Sequence, residues 1–496
     1  MWSVHLPVGV ILILLGWFSA ATEANWPYAS FKTGPWQPPQ LQLNKTAGVD
    51  PGLIFIPIRN ENSLGTAVTI YDNNGEMIYQ GPEVASMNFR VQKLFGEDVL
   101  TYWSGEAGVY GGYGYGKVHI LDKTYQEIHT ITLTDNFVTG DNETRDSYID
   151  VHEHFITDNN TILVSAINIT QHNLSSFGRP SDSWITTNLF YEIDIATNEV
   201  IFKWNALDHQ DKIPLSKSRQ WMYTNPIQAM SWDPYHTNSI TPTKDGYIVS
   251  MRFYCSAFYL NKDGTVRWQL SGNIGDGDFT GEDLRFSWQH DIRIYNETDK
   301  HLVLSLFNNA KKQNISQSET TAMVFDIDLT TMTGSLLHNL SDPTNAIYAG
   351  TQGNLEFLDK ETATSNMFVG YGSVPYVKEY NSKGEVVLSG KFGALEHAMS
   401  YRAFKNKWEA TPFWNPAAVI KDGIIYMSWN GATEYDNWAV YYSLSSLVSD
   451  ATHPMSTHPR TGFETNMSIS DTGAKFVKVA ARKGETILRF SDPVEV

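Results

Sequence analysis

The sequence predicts an all-β chain: a six-bladed β-propeller followed by a small β-sandwich. Hairpin-like segments recur six times, at 67–81, 118–131, 190–204, 257–272, 322–337 and 376–390. Each turns at Asp, Asn or Gly between β-branched or aromatic residues. They lie roughly 50 to 70 residues apart, close to the spacing at which four-stranded sheets repeat around a propeller. A polar opening precedes an apolar strand five times: Arg90 and Gln92, His152 and His154, His236 and Asn238, His290, and Gln352 and Asn354. Helical periodicity is nearly absent.

Taken in order, Leu6 to Ala21 form an apolar run that ends in small residues, and residues 1–24 read as a secretory signal peptide. The run is short of the about 20 residues that cross a bilayer, so no stable membrane insertion is expected. Residues 25–44, NWPYASFKTGPWQPPQLQLN, are rich in proline and aromatics. Proline removes a ladder donor, so this stretch reads as an extended N-terminal arm. Residues 45–406 carry the repeats and form the propeller. From residue 412 the polar opening disappears, and residues 412–496 hold short alternating strands over a length suited to a sandwich. With Trp429, the aromatic strand 438–442 and a closing hairpin, this part resembles a fibronectin type III-like sandwich.

Aromatic content is 13%, with 15 Trp and 25 Tyr, and charged residues make up 18%. Such a composition suits sheets, where large flat side chains pack well. The net charge of −18 and the lack of a basic run exclude nucleic acid as a partner. Nine N-x-[ST] sequons, at Asn44, Asn142, Asn159, Asn168, Asn173, Asn296, Asn314, Asn339 and Asn466, follow the apolar leader. Together they predict a secreted glycoprotein, extracellular or in a cell wall. Cys255 is the sole cysteine, so no intramolecular disulfide can form, and its apolar strand marks it as core. A monomer is expected.

A propeller gathers the first strands of its blades around a channel. Residues i and i+2 of a strand share a face. His152 with His154, His236 with Asn238, His290, and Gln352 with Asn354 are therefore expected to converge on one cavity. Trp288, Tyr235 and Trp232 are candidates to stack on an aromatic ring. His152-Glu153-His154 is at most half of a metal site, and no metal or other cofactor is expected. The run GVYGGYGYG (108–116) has no helix after it, so it reads as a loop over the channel mouth and not as a phosphate loop.

The ordered motifs YHTNSI (235–240), WQHDIRI (288–294), LFNN (306–309), TQGN (351–354), VGYGS (369–373) and SYRAF (400–404) resemble the arylsulfotransferase family. The opening YASFKTGPWQPPQL and the HEHF segment resemble its fungal secreted branch, and the likeness spans roughly residues 26–406. The resemblance implies a propeller of six blades. In bacterial members it implies sulfate transfer between phenols through a sulfated histidine, without a nucleotide donor. On that basis His236, His290 and His154 are the catalytic candidates. His152, Asn238, Gln352, Asn354, Trp288, Tyr235, Lys311 and Arg402 are placed around an aromatic small-molecule substrate.

Two departures from the family pattern stand out. Where the family places a sulfate-binding arginine, this chain reads LFNNAKK, so Lys311 or Lys312 would bring charge without the bidentate fork. The nucleophilic histidine of the bacterial members is placed near GYGSVPY, which has none here, so either that role passes to His290 or His236 or the sulfuryl chemistry is absent. Arg402 remains as an anion clamp or as a bridge between the domains. Neutral imidazole is a competent nucleophile near pH 7, and N–H donors can hold the non-bridging oxygens. Two other readings stay open: a channel that tailors or cyclises a secreted metabolite with histidines as acid–base groups, and a non-catalytic binding propeller.

Overall fold

The computed structural model describes residues 26–60, 65–281, 283–310, 319–359, 361, 363–445, 454–469 and 473–496. The predicted leader, Lys311, Lys312 and Asn314 lie outside them. Six antiparallel sheets come from residues 42–406. Sheet I holds Leu53–Asn60, Ala67–Tyr71 and Met77–Gln80, and it gains Ala398–Met399 and Phe404–Asn406 from the far end of this region. Sheet II runs from Ser86 to Ile131, sheet III from His154 to Asn205, sheet IV from Thr237 to Ser271 and sheet V from His290 to Leu340, each with four strands. Sheet VI spans Asn354–Phe357 to Val386–Lys391 and takes Gln42–Lys45 on its outer edge.

The outer turns follow the chemistry expected of them. Asp72 accepts the Asn74 and Glu76 N–H groups, Asp263 that of Thr265, and Asn381 those of Lys383 and Glu385. Short polar side chains thus stand in for missing turn bonds. Gly75, Gly264 and Gly384 beside them sit at φ of +82°, +85° and +83°, which side-chain-bearing residues rarely adopt.

Consecutive sheets pack face to face. Separate apolar clusters lie between I and II, II and III, III and IV, IV and V, V and VI, and VI and I. The innermost strands touch in the same cyclic order, with Met367–Gly370 returning to Phe404–Asn406. The result is a propeller closed by strands from both ends of the region. Being covered on both faces explains why Ala67–Tyr71 and Gly246–Met251 are buried at every position and do not alternate.

After residue 406 two further sheets, one built on Ala417–Lys421, Ile424–Ser428 and Glu464–Ser468 and the other on Asn437–Ser443 and Phe476–Lys483, enclose Trp429, Trp438 and Val479. This sandwich is fastened to the propeller. Asn430 exchanges two bonds with the Gln80 backbone, and the Tyr125 hydroxyl donates to the Gly431 carbonyl. The stretch before residue 42 crosses both parts, with Phe31 and Trp36 against Phe463 and the Tyr71 hydroxyl on the Pro39 carbonyl. Among the described residues no helix is long and apolar enough to cross a membrane.

Candidate active site

His152, His236 and His290 come together where the innermost strands begin, although sequence separates them widely. The His152 and His236 rings lie 5.1 Å apart, and Tyr401 sits between His152 and His290 at 5.4 and 6.3 Å. Tyr113 packs on His152 and His236, and Phe253 on His236. The three imidazoles are only 2%, 6% and 2% exposed, so they form a nearly closed chamber.

Each ring is held by its Nδ1. His152 Nδ1 lies 2.6 Å from Asp150 Oδ2, and His236 Nδ1 lies 2.7 Å from Asp233 Oδ2. Their Nε2 atoms have no hydrogen-bond partner among the described residues. His290 Nδ1 lies 2.7 Å from Asn309 Oδ1. The Asn309 amide donates to the carbonyls of Ala349 and Gln352, which leaves only its oxygen for His290. His290 therefore carries its proton on Nδ1 and a lone pair on Nε2, where the Gln352 N–H approaches at 3.2 Å.

Arg252 supplies the cation. Its guanidinium lies 4.9 Å from the centre of the Trp288 ring and 5.3 Å from that of Phe253, and Nη2 donates to the Gly350 carbonyl at 3.2 Å. Its Nε is buried without a hydrogen-bond partner, as is the Tyr401 hydroxyl. Burial lowers the Arg252 pKa to about 10, so it stays charged at neutral pH. Burial, then the charge of Arg252, hold His290 well below the ordinary histidine value. Burial takes His236 down to about 4 against the opposing pull of Asp233. Burial would raise the Asp150 carboxyl, but His152 and the Gly114 N–H keep it below its usual range.

The expectation that both members of each polar pair face the cavity is corrected. His154 turns to Thr101 Oγ1, 3.1 Å from its Nε2, and burial with Arg90 beyond it depresses its pKa strongly. Asn238 donates to the Gln289 carbonyl of the next sheet, and Asn354 exchanges two bonds with the Ala403 backbone. Gln92 likewise accepts from the Ile156 N–H. These second members are struts between blades. The two-residue rule holds only inside a strand. His152 and Gln352 precede theirs, and a register shift between Thr237 and Ser239 separates His236 from Asn238.

Arg402 is neither a clamp at the chamber nor a bridge to the sandwich. Below the histidines the axis is filled by Glu153, Asp291, Arg90, Arg293 and Arg402. Glu153 takes Arg90 at 3.3 Å, Arg402 at 3.1 Å and Arg293 at 2.8 Å, while Asp291 takes Arg293 at 2.5 Å and Arg402 at 3.1 Å. This plug closes the channel beneath the chamber. Tyr235 stacks on Tyr254, and Trp232 packs on Phe177, both away from the histidines; Trp288 alone of the three aromatic candidates reaches the chamber wall. Residues 108–116 are the tip of a long hairpin that delivers Tyr113, and not a free loop.

Two clefts flank the chamber. One of about 770 Å3 between sheets IV and V includes Cys255, Phe286, Trp288 and Met323. The other, of about 610 Å3 between sheets VI and I, includes Arg59, Glu83, Glu396 and Met399. Among the described residues no group of three or more His, Cys, Asp or Glu side chains is placed to hold a metal ion.

The family model described as Arylsulfotransferase (ASST) matches residues 90–393, more than half of the chain and all of the chamber but Tyr401. The chain belongs to the arylsulfotransferase family. A search of curated proteins gives no match. Among solved structures the chain is similar to an alpha-L-arabinanase of Penicillium chrysogenum at 10% identity and a TM-score of 0.32, covering 84% of this chain and 96% of that one. It is also similar to a Synechocystis apocarotenoid oxygenase at 8% identity and a TM-score of 0.34, covering 94% of each.

In this arylsulfotransferase-family chain the buried arginine beside the histidines is Arg252, which the motifs did not single out. Arg252 ends the very strand pair that His236 opens, at the close of GYIVSMR. The orienting acids also left a trace, because Asp150 and Asp233 precede their histidines by two and three residues. Tyr401 lies within the quoted SYRAF motif, and Asn309 within LFNN.

Proposed function

We propose that this chain is an enzyme that moves a sulfuryl group between phenolic small molecules, with His290 Nε2 as the nucleophile. The observation that carries the role is the Asn309 clamp on Nδ1. It holds the lone pair on Nε2, from which the Gln352 N–H must withdraw for sulfur to approach, while burial and then Arg252 keep the ring unprotonated. The aryl sulfate binds with its oxygens toward Arg252 and Tyr401, two groups beside the histidines whose Nε and hydroxyl are buried without a partner.

In the first half-reaction Nε2 bonds to sulfur as the S–O bond to the donor breaks, and the electron pair leaves on the phenolate. In the second, an acceptor phenol gives its proton to His236 Nε2, and its oxygen attacks sulfur. The N–S electron pair then returns to His290. Asp233 stabilises the imidazolium formed on His236, and that proton restores the departed phenolate. His152 with Asp150 provides a second site for the same proton.

Incubation with 4-nitrophenyl sulfate and a phenol acceptor should release nitrophenolate and form the acceptor sulfate. An alkaline quench during turnover should leave one sulfuryl group on the peptide that carries His290. Undiminished transfer in His290→Ala would overturn the assignment. The apolar run of residues 6–21 supports a secretory route, and Asn44, Asn142, Asn159, Asn173, Asn296, Asn339 and Asn466 are exposed for glycan attachment. Asn168 is half-buried, and its Oδ1 already accepts the Val138 N–H. A mobility shift on glycosidase treatment of the secreted protein tests this.

A further inference from the structure

The glycine-rich stretch 105–116 is the part of sheet II that projects beyond the sheet. Strands Glu97–Tyr110 and Tyr113–Leu121 pair with Ser86–Leu94 and Glu127–Ile131 only as far as Ser104 and Val118; past those points they pair with each other. Tyr110 and Tyr113 stand opposite across the turn Gly111–Gly112, at φ of +56° and +98°. Two positive φ angles match the twist of the strands they join, so the hairpin closes tightly at its tip. It lands on the segment that leads into His152. The Gly116 N–H donates to the Ile149 carbonyl, and a side chain at Gly114 would meet Val151 at 2.6 Å and the Glu106 carbonyl at 2.7 Å.

From there the hairpin reaches both orienting acids. The Gly114 N–H donates to Asp150 Oδ1 at 3.0 Å. The Tyr113 hydroxyl donates to Asp233 Oδ2 at 2.8 Å, the same oxygen that holds His236 Nδ1 at 2.7 Å. Asn188 Oδ1, 3.1 Å from that hydroxyl, already accepts the Thr237 N–H, so the single hydroxyl proton goes to the carboxylate. Burial, then the charge of Asp233, hold the Tyr113 phenol well above its ordinary value, so it remains a donor at neutral pH. Around His236 stand Asp233 and Arg252 from the ends of sheet IV, His152 from sheet III, His290 from sheet V and Tyr113 from sheet II. Asp233 pulls a proton onto the ring, and His152 and Arg252 oppose it.

Building on the sulfuryl-transfer reading, we propose that Tyr113 is a positioning residue that acts on His236 through Asp233. Its hydroxyl fixes the carboxylate against Nδ1 and takes up part of the charge that would otherwise hold a proton on the ring. A carboxylate that accepts one hydrogen bond more is a weaker partner for an imidazolium. His236 is thereby kept neutral, with Nε2 ready for the acceptor's proton. A hairpin of sheet II thus tunes a base carried by sheet IV.

Tyr113→Phe is the test, because it keeps the ring against His152 and His236 and removes only the hydroxyl. In protein labelled with [13C]histidine, the Cε1 signal of His236, identified by its loss in His236→Gln, reads protonation without any turnover. Its titration should move up by about one pH unit in Tyr113→Phe, the order of a single hydrogen bond to a charged group. Tyr115→Phe removes a hydroxyl from the same strand, on a ring that packs against Tyr148 and Arg145, and should leave the titration where it is. In turnover with 4-nitrophenyl sulfate and a phenol, the acid limb of kcat/KM for the acceptor should move up with the titration. The limb of kcat/KM for the donor, which reports the step before His236 acts, should not.

An unmoved His236 titration in Tyr113→Phe overturns the assignment, even if the melting temperature falls, because the hydroxyl is then only a strut. An equal shift in Tyr115→Phe does the same, as does an acceptor limb in the active protein that fails to follow the titration. A shift confined to Tyr113→Phe in a protein that transfers no sulfuryl group leaves the role of Tyr113 standing and removes the sulfuryl-transfer reading.

Discussion

At the scale of single residues the chamber works through what each imidazole is bonded to. Asn309 and the two aspartates occupy equivalent places on three rings, yet a neutral amide favours a neutral imidazole and a carboxylate favours a charged one. Asn309→Asp would bring a carboxylate onto His290 Nδ1 and raise its pKa. The acid limb of kcat/KM, where activity is lost as the nucleophile protonates, should then move up by a unit or more in a pH profile. In the parent, burial holds His236, the base that takes the acceptor's proton, at about 4, so it should stay available down to about pH 5. Arg252→Lys keeps a charge but loses the fork, so it should lower kcat/KM for aryl sulfates by roughly a hundredfold with the fold intact.

At the scale of elements the starts of the innermost strands repeat one device. Asn88, His236, Asp291 and Gln352 all have φ between +53° and +64°, and register shifts accompany the first three. The first polar residue is thereby turned toward the axis, while the asparagine or glutamine after it is left to tie one sheet to the next. Asn354→Ala removes two buried bonds to Ala403 at once. It should cost about 2 kcal/mol in urea denaturation, with the nearby histidine chemistry little changed. Gly370 packs its Cα side against the Asn354 side chain and the Ala403 N–H, so the same seam tolerates no larger residue there.

The whole molecule depends on charge buried at its axis. Glu153 is fully buried and receives three guanidinium groups, so Glu153→Ala would leave Arg90, Arg293 and Arg402 with a single counter-charge. A loss of about 3–5 kcal/mol is expected, read as a fall in Tm or in soluble yield. Acid should weaken the fold for a related reason. His154, His236 and His290 are all held below the ordinary value, so the unfolded chain takes up protons below about pH 6.5 that the folded chain refuses. Stability is full above that pH and falls toward pH 4, by up to about 1.4 kcal/mol per unit for each histidine. Denaturation midpoints at pH 7 and pH 5 measure it, and His154→Gln should flatten the difference.

Much of this was readable beforehand. Hairpins with Asx turns and β-branched flanks announce themselves locally, because turn chemistry and strand preference act within a few residues; hence the all-β class and the recurrence of sheets along the chain. The convergence of His152, His236 and His290 was also legible, because the pattern of polar openings marks where innermost strands begin. What local pattern could not settle was direction. Whether His154 or Glu153 meets the axis, and whether Asn238 faces substrate or a neighbouring carbonyl, depends on strand starts and on bulges set by packing between sheets. Arg252, Tyr113 and Tyr401 reach the histidines from three different sheets, and only closure of the ring brings them within a few ångströms. Side-chain chemistry along the chain named the parts; the burial that lowers the pKa values of His154, His236 and His290 exists only once the sheets have closed around them.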